Sequence, residues 1–158
     1  MIATIRVVES GNFNYLCDLD LMKYSLEQVK ERMNQRGISE TDFYICGFKD
    51  WKVDSILSLE VAFKLKRVIV EVYENDDFIV SYLLSRHFSI SDIMKYYYAF
   101  VTKDEVELMI RILKKSSVAD IVLLFYKLDW SSAVRSFIES KMVLCTPKGY
   151  YVHEGVLG

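Results

Sequence analysis

At 158 residues, with 52% apolar and 27% charged side chains, the chain is too apolar for a disordered segment and suits one packed domain or two or three small modules. Twenty-two acids against twenty bases leave a net charge of −2, which excludes an overall field selecting nucleic acid or an anionic membrane. No uncharged run approaches the ~18 residues of a membrane span, and no basic-then-apolar N-terminal segment predicts a signal peptide. Cys17, Cys46 and Cys145 are odd in number, widely spaced and set among apolar residues, which predicts reduced thiols in a cytoplasmic protein and not a disulfide framework.

A short apolar strand, Ile2 to Val8, runs into the turn-rich Glu9-Ser10-Gly11-Asn12-Phe13-Asn14-Tyr15. An acidic extended piece, Cys17-Asp18-Leu19-Asp20-Leu21, follows. Ser25 and Gln28 are spaced as a capping box, with Tyr24 and Val29 placed as a hydrophobic staple across it. The helix this predicts carries Leu26, Val29 and Met33 as one stripe, and Gly37 sits where a left-handed C-terminal residue is wanted. A second strand, Phe43 to Phe48, completes a small α/β unit ending near Asp54.

The remainder reads as consecutive helices. Ser58 caps one that runs through Val72 and is apolar on several sides. Asn75-Asp76-Asp77 opens a short helix with Phe78, Ile79, Tyr82 and Leu83. Ser89 with Asp92 begins another, whose helix carries the aromatic run Tyr96-Tyr97-Tyr98-Ala99-Phe100, and Thr102 with Glu105 forms a third box. Beyond that box Val106, Met109, Ile110 and Leu113 recur at helical spacing. Helices from about Ser117 to Lys127 and from Asp129 to Lys141 follow, then a hairpin of Val143-Leu144-Cys145 and Tyr150 to His153 around Thr146-Pro147-Lys148-Gly149. The fold class is therefore α+β: an N-terminal α/β unit (1–56), a helical middle (57–115), and C-terminal helices with a terminal β-hairpin (116–158).

No spacing speaks for catalysis. His87 and His153 are isolated and no cysteine lies near either in sequence, so no metal site or cofactor is expected. No glycine-rich phosphate loop is present. The basic residues Lys64, Lys66 and Arg67, with Lys114 and Lys115, read first as solvated helix faces. The acids are more pointed. Residues 1–78 hold fourteen acids against ten bases, whereas the rest is slightly basic. Asp18, Asp20, Glu40 and Asp42 gather around the N-terminal unit, and Glu71, Glu74, Asp76 and Asp77 at a helix junction. Solubility and helix-end electrostatics explain such acids simply; the sharper alternative makes them a patch that stands in for DNA phosphates.

The order of a strand, Ser10-Gly11-Asn12-Phe13-Asn14-Tyr15-Leu16, an acidic extended piece and Ser25-Leu26-Glu27-Gln28-Val29 resembles the start of ArdA-type antirestriction proteins. The likeness continues through Glu40-Thr41-Asp42-Phe43-Tyr44-Ile45 and through Ser58-Leu59-Glu60 with Ala62-Phe63-Lys64-Leu65, and so covers roughly the first 70 residues. Phe88-Ser89-Ile90-Ser91-Asp92-Ile93 and Gly149-Tyr150-Tyr151-Val152 fit less specifically. The resemblance implies a non-enzymatic anti-defence protein of a phage or other mobile element, an elongated dimer that mimics bent DNA and occupies the DNA groove of a type I restriction–modification enzyme. A CRISPR nuclease is a second candidate target. This chain departs from the family's strong acidity, and the acidic, Tyr-rich segment expected late in the chain has no counterpart between Asp129 and Val143. On this reading Asp18, Asp20, Glu40, Asp42, Glu71, Glu74, Asp76 and Asp77 contact the partner, and DNA itself is not bound.

Two other readings compete. A helix followed by a hairpin is the order of a winged helix, with Arg135, Lys141 and Lys148 facing phosphate. A small enzyme whose site assembles only in three dimensions would need a deep pocket lined by His87 or a cysteine.

Overall fold

The computed structural model describes residues 1–115 and 130–157. The chain divides into two compact units, Met1–Met94 and Lys95–Gly158. Mixed helices and antiparallel sheets make it an α+β protein. The helices expected as a middle module are shared between the two units.

In the first unit β1 (Ile2–Glu9) and β2 (Asn12–Asp20) form an antiparallel hairpin, and β3 (Phe43–Phe48) pairs antiparallel with the other side of β1. The turn between β1 and β2 is only Ser10 and Gly11, at φ 51° and 82°. Two residues of positive φ match the twist of the flanking strands, which is why they close a hairpin here. The expectation of a long turn with a separate acidic piece is therefore corrected: Asn12 to Asp20 is one strand. Leu16 is an extra residue within it, since Ile5 pairs with Cys17 while Arg6 pairs with Tyr15. A second irregularity lies in β3 beside Gly47, at φ 138°.

One face of this sheet is buried through Ala3, Ile5, Phe43, Ile45 and Phe48. A 3-10 turn (Leu21–Lys23) leads to α1 (Leu26–Gln35). Its capping box forms: the Gln28 N–H donates to Ser25 Oγ at 3.2 Å and the Ser25 N–H to Gln28 Oε1 at 2.9 Å. Val29 and Met33 are buried, and Gly37 takes φ 74°. Ser58 caps α2 (Leu59–Glu71), which buries Leu59, Ala62, Leu65, Val68 and Ile69 and packs against β3.

Asp76 accepts from the Phe78 N–H at 2.9 Å at the start of α3 (Phe78–Ser85). His87 stops α3 in a left-handed conformation, φ 58°, with its N–H on Leu84 O at 2.9 Å and the Phe88 N–H on Leu83 O at 3.1 Å. Only glycine takes that conformation without a Cβ penalty. His87→Gly is therefore expected to raise stability by about 0.5–1 kcal/mol in urea titration; a loss would show that the imidazole contributes more than the backbone costs. Ser89 caps α4 (Ile90–Lys95), accepting from the Asp92 N–H at 3.0 Å.

In the second unit β4 (Tyr98–Thr102), β5 (Val143–Thr146) and β6 (Gly149–His153) form a sheet of order β4-β6-β5. Here two expectations fail. The run Tyr96–Phe100 is not helical: α4 ends at Lys95 and the chain turns into β4, so the terminal hairpin gains a third strand. Aromatic and β-branched residues favour a pleated, half-buried surface, and cross-strand contacts reward it. Phe100 meets Tyr151 edge-on at 5.4 Å, and the Tyr98 hydroxyl donates to Lys141 O at 3.0 Å.

The second correction concerns α5 (Glu105–Lys115). Its cap is Asp104, whose Oδ1 accepts from the Glu107 N–H at 2.8 Å, and not Thr102. Thr102 belongs to β4 and accepts from the Asp104 N–H at 3.0 Å while its hydroxyl donates to Glu107 Oε2 at 2.7 Å. The buried face of the helix is shifted from the expected stripe, with Met109 common to both. Leu108, Met109 and Ile112 are buried, whereas Val106 and Ile110 stay 56% and 44% exposed. With Val101, Val143 and Val152 they form the core, closed by Ala133 and Val134 of α6 (Trp130–Glu139). Val156 of α7 (Glu154–Leu157) packs against it. The helix expected at Ser117–Lys127 lies outside the described residues.

Candidate interaction surface

The face of the first sheet opposite its buried residues carries Thr4, Arg6 and Val8 of β1 with Phe13, Tyr15, Asp18 and Asp20 of β2 and Tyr44 of β3, by the alternation of side chains along each strand. Phe13 and Tyr15 are 42% and 62% exposed. Phe13 meets Tyr44 edge-on at 6.0 Å. Arg6 lies between these aromatic residues in the register, and its Nη1 donates to Phe13 O at 3.3 Å. At the other end of the face Asp18 accepts from Thr4 Oγ1 at 3.0 Å and from Lys49 Nζ at 2.8 Å. Asp20 caps the 3-10 turn, accepting from the Met22 N–H at 3.2 Å, and faces Lys23 at 3.4 Å. Asp50 stands beside this end, accepting from the Ile2 N–H at 2.9 Å.

The other predicted contact residues fall into separate groups. Glu40 meets Lys30 at 2.7 Å, and Glu60 meets the same ammonium at 3.2 Å. Asp42 closes its own turn, accepting from Ser39 Oγ at 2.7 Å and Thr41 Oγ1 at 3.1 Å. At the α2–α3 junction Glu71 is 3.8 Å from Arg67, Glu74 holds a left-handed φ of 50°, and Asp76 accepts from the Phe78 N–H ahead of α3. Asp77 accepts from Trp51 Nε1 at 2.7 Å. Structural partners thus engage most of these carboxylates, and only Asp18 and Asp20 share a face with exposed aromatic rings. Sequence reading passed over Arg6 and Tyr44 as surface residues; their period-two placement on strands flanking one hairpin was the available signal.

The Lys49 ammonium, then Thr4, holds the Asp18 carboxyl below its ordinary value of 3.8. Ser39 and Thr41 hydroxyls lower that of Asp42 in the same sense. A depressed folded value means the stabilisation is whole above the ordinary value and is lost as pH falls through the folded one. Wild type is accordingly expected to melt above Asp18→Asn and Asp42→Asn at pH 6. The gap should close as the pH drops below 3.8. A gap independent of pH would remove the carboxylates as its cause.

His153 in the second unit packs edge-on to Tyr96 at 5.0 Å and accepts from the Gly155 N–H at 3.2 Å through Nδ1. Among the described residues no group of three or more His, Cys, Asp or Glu side chains is arranged to hold a metal ion, and no helix is long and apolar enough to cross a membrane. No family model, no curated protein and no solved structure matches the chain.

Proposed function

We propose that the protein is a non-enzymatic anti-defence protein that inhibits a host DNA-targeting enzyme by protein–protein contact, with type I restriction–modification first and a CRISPR nuclease second among its targets. The resemblance of the N-terminal third to ArdA-type proteins motivates this reading. The observation that carries it is the open outer face of the first sheet, where Asp18 and Asp20 share one surface with Phe13, Tyr15 and Tyr44. Fixed carboxylates take the place of phosphates in a basic groove and gain the same salt-dependent attraction. Aromatic rings beside them supply contact area that charge alone does not. Near neutrality makes the mimicry partial, confined to this face.

The test is plating of unmodified phage on strains restricting through a type I system or through CRISPR, with and without the chain expressed. Rescue on either strain, reduced by Asp18→Asn with Asp20→Asn, is the expected result. Unchanged plating on both, with the protein soluble and abundant, would overturn it. The competing reading as a DNA-binding regulator keeps one specific observation: α6 is followed directly by the β5–β6 hairpin, with Arg135 and Lys148 exposed. That reading predicts a salt-sensitive gel shift of duplex DNA, which the inhibitor reading does not.

A further inference from the structure

Two concavities of the first unit are separated by their charge. The larger, about 540 Å³, runs along α2, and its bases Lys64, Lys66 and Arg67 are balanced by Glu27, Glu60 and Glu71. Lys66 is moreover engaged by Leu21 O and Tyr24 O, both at 2.9 Å. The smaller, about 290 Å³, lies between β2 and α1, where Arg32 and Arg36 line it with Cys17, Tyr24 and Gln35 and no acidic side chain does.

Among the described residues neither Arg32 nor Arg36 takes part in an ion pair. Arg32 lies in the last turn of α1 and Arg36, four positions on, is its C-cap residue, so that two like charges stand close together. Arg32 is seated over the Tyr24 ring at 4.5 Å, which fixes its guanidinium before any ligand arrives. Two cations near a helix C-terminus suit its dipole, yet that leaves unexplained why both line one uncompensated cavity in a unit otherwise rich in acids. A guanidinium offers a planar fork of donors that matches an oxyanion. The volume sits just under the roughly 300–1,000 Å³ of typical small-molecule sites, which limits the occupant to a compact one.

We propose that the cavity between β2 and α1 binds a small free oxyanion, a phosphate or a compact carboxylate, clamped between Arg32 and Arg36. The Cys17 thiol in its wall is a built-in reporter. Burial raises its pKa and the nearby Arg36 charge lowers it, so an anion beside that guanidinium both blocks the thiol and weakens the only favourable charge acting on its thiolate.

The experiment uses the full chain with Cys46→Ser and Cys145→Ser, leaving Cys17 as its one thiol. Sodium phosphate and sodium succinate are titrated separately against sodium chloride of equal ionic strength. Heat release is recorded by calorimetry and Cys17 alkylation with iodoacetamide. Saturable binding of either anion is expected, and identifies which chemistry the site prefers. Alkylation should slow about tenfold at roughly ten times the half-saturating concentration. Arg32→Gln with Arg36→Gln should abolish both effects, Arg36→Lys should weaken them by losing the fork, and Arg67→Gln should leave them intact. Absence of saturation for both anions, or equal protection in the double arginine variant, would overturn the proposal.

Discussion

Gly47→Ala is expected to destabilise the first unit by about 3 kcal/mol or more, a large fraction of the roughly 5–15 kcal/mol of an ordinary domain. Two independent faults coincide at this position. Its φ of 138° lies where L-residues are strained. A Cβ there would also run into the backbone oxygen of Val53, with Asp54 Cα only 3.1 Å away. Neither obstacle is a flexible side-chain end that swings aside. The carbonyl it strikes accepts from the Phe48 N–H at 2.8 Å, and the reciprocal bond from the Val53 N–H to Phe48 O is 3.2 Å. Displacing Val53 therefore breaks the bridge that holds Phe48 in the core, with its ring 4.5 Å from Trp51. Urea denaturation followed by circular dichroism measures the cost, and a variant within about 0.5 kcal/mol of wild type would mean that β3 relaxes around its irregularity.

Leu108→Ala and Val106→Ala should part company just as sharply in the second unit. Leu108 is fully buried beside Met109 and Ile112, so truncation leaves a cavity and costs about 2–5 kcal/mol. Val106 is 56% exposed, and its truncation should stay within about 0.5 kcal/mol. Equal losses would restore the face that helical spacing alone selects. The pair thus tests which face of α5 packs inward, about one residue's turn of helix away from the stripe of Val106, Met109, Ile110 and Leu113.

Local signals that are complete within a few residues were legible in the sequence. The Ser25–Gln28 box, the Ser58 and Ser89 caps and the left-handed Gly37 are all present. The sequence was less legible where two local patterns competed. Thr102 and Asp104 both have a partner of the right type three residues on, and the strand's claim on Thr102 decided between them. The aromatic run after Lys95 carries no helix-breaking residue, and only pairing with the distant Tyr151 and Val152 makes it a strand. The acids were visible as charge, but which of them would be consumed by Lys30, Lys49 or a turn depended on contacts far apart in the chain.

The extra residue at Leu16 changes the parity of β2. Before it, odd-numbered positions look outward; after it, even-numbered ones do. Counted along the sequence, Tyr15 and Asp18 belong to opposite sides of a regular strand, and they stand on the same side because the ladder passes over Leu16. The mixture of aromatic rings and carboxylates on the outer face thus depends on a single bulge. Were Leu16 instead paired regularly with Ile5, with the turn and the first half of the hairpin kept, Asp18 and Asp20 would turn toward the apolar interior and Cys17 toward water. Leaving that one residue out of the pairing therefore fixes the chemical character of the whole surface.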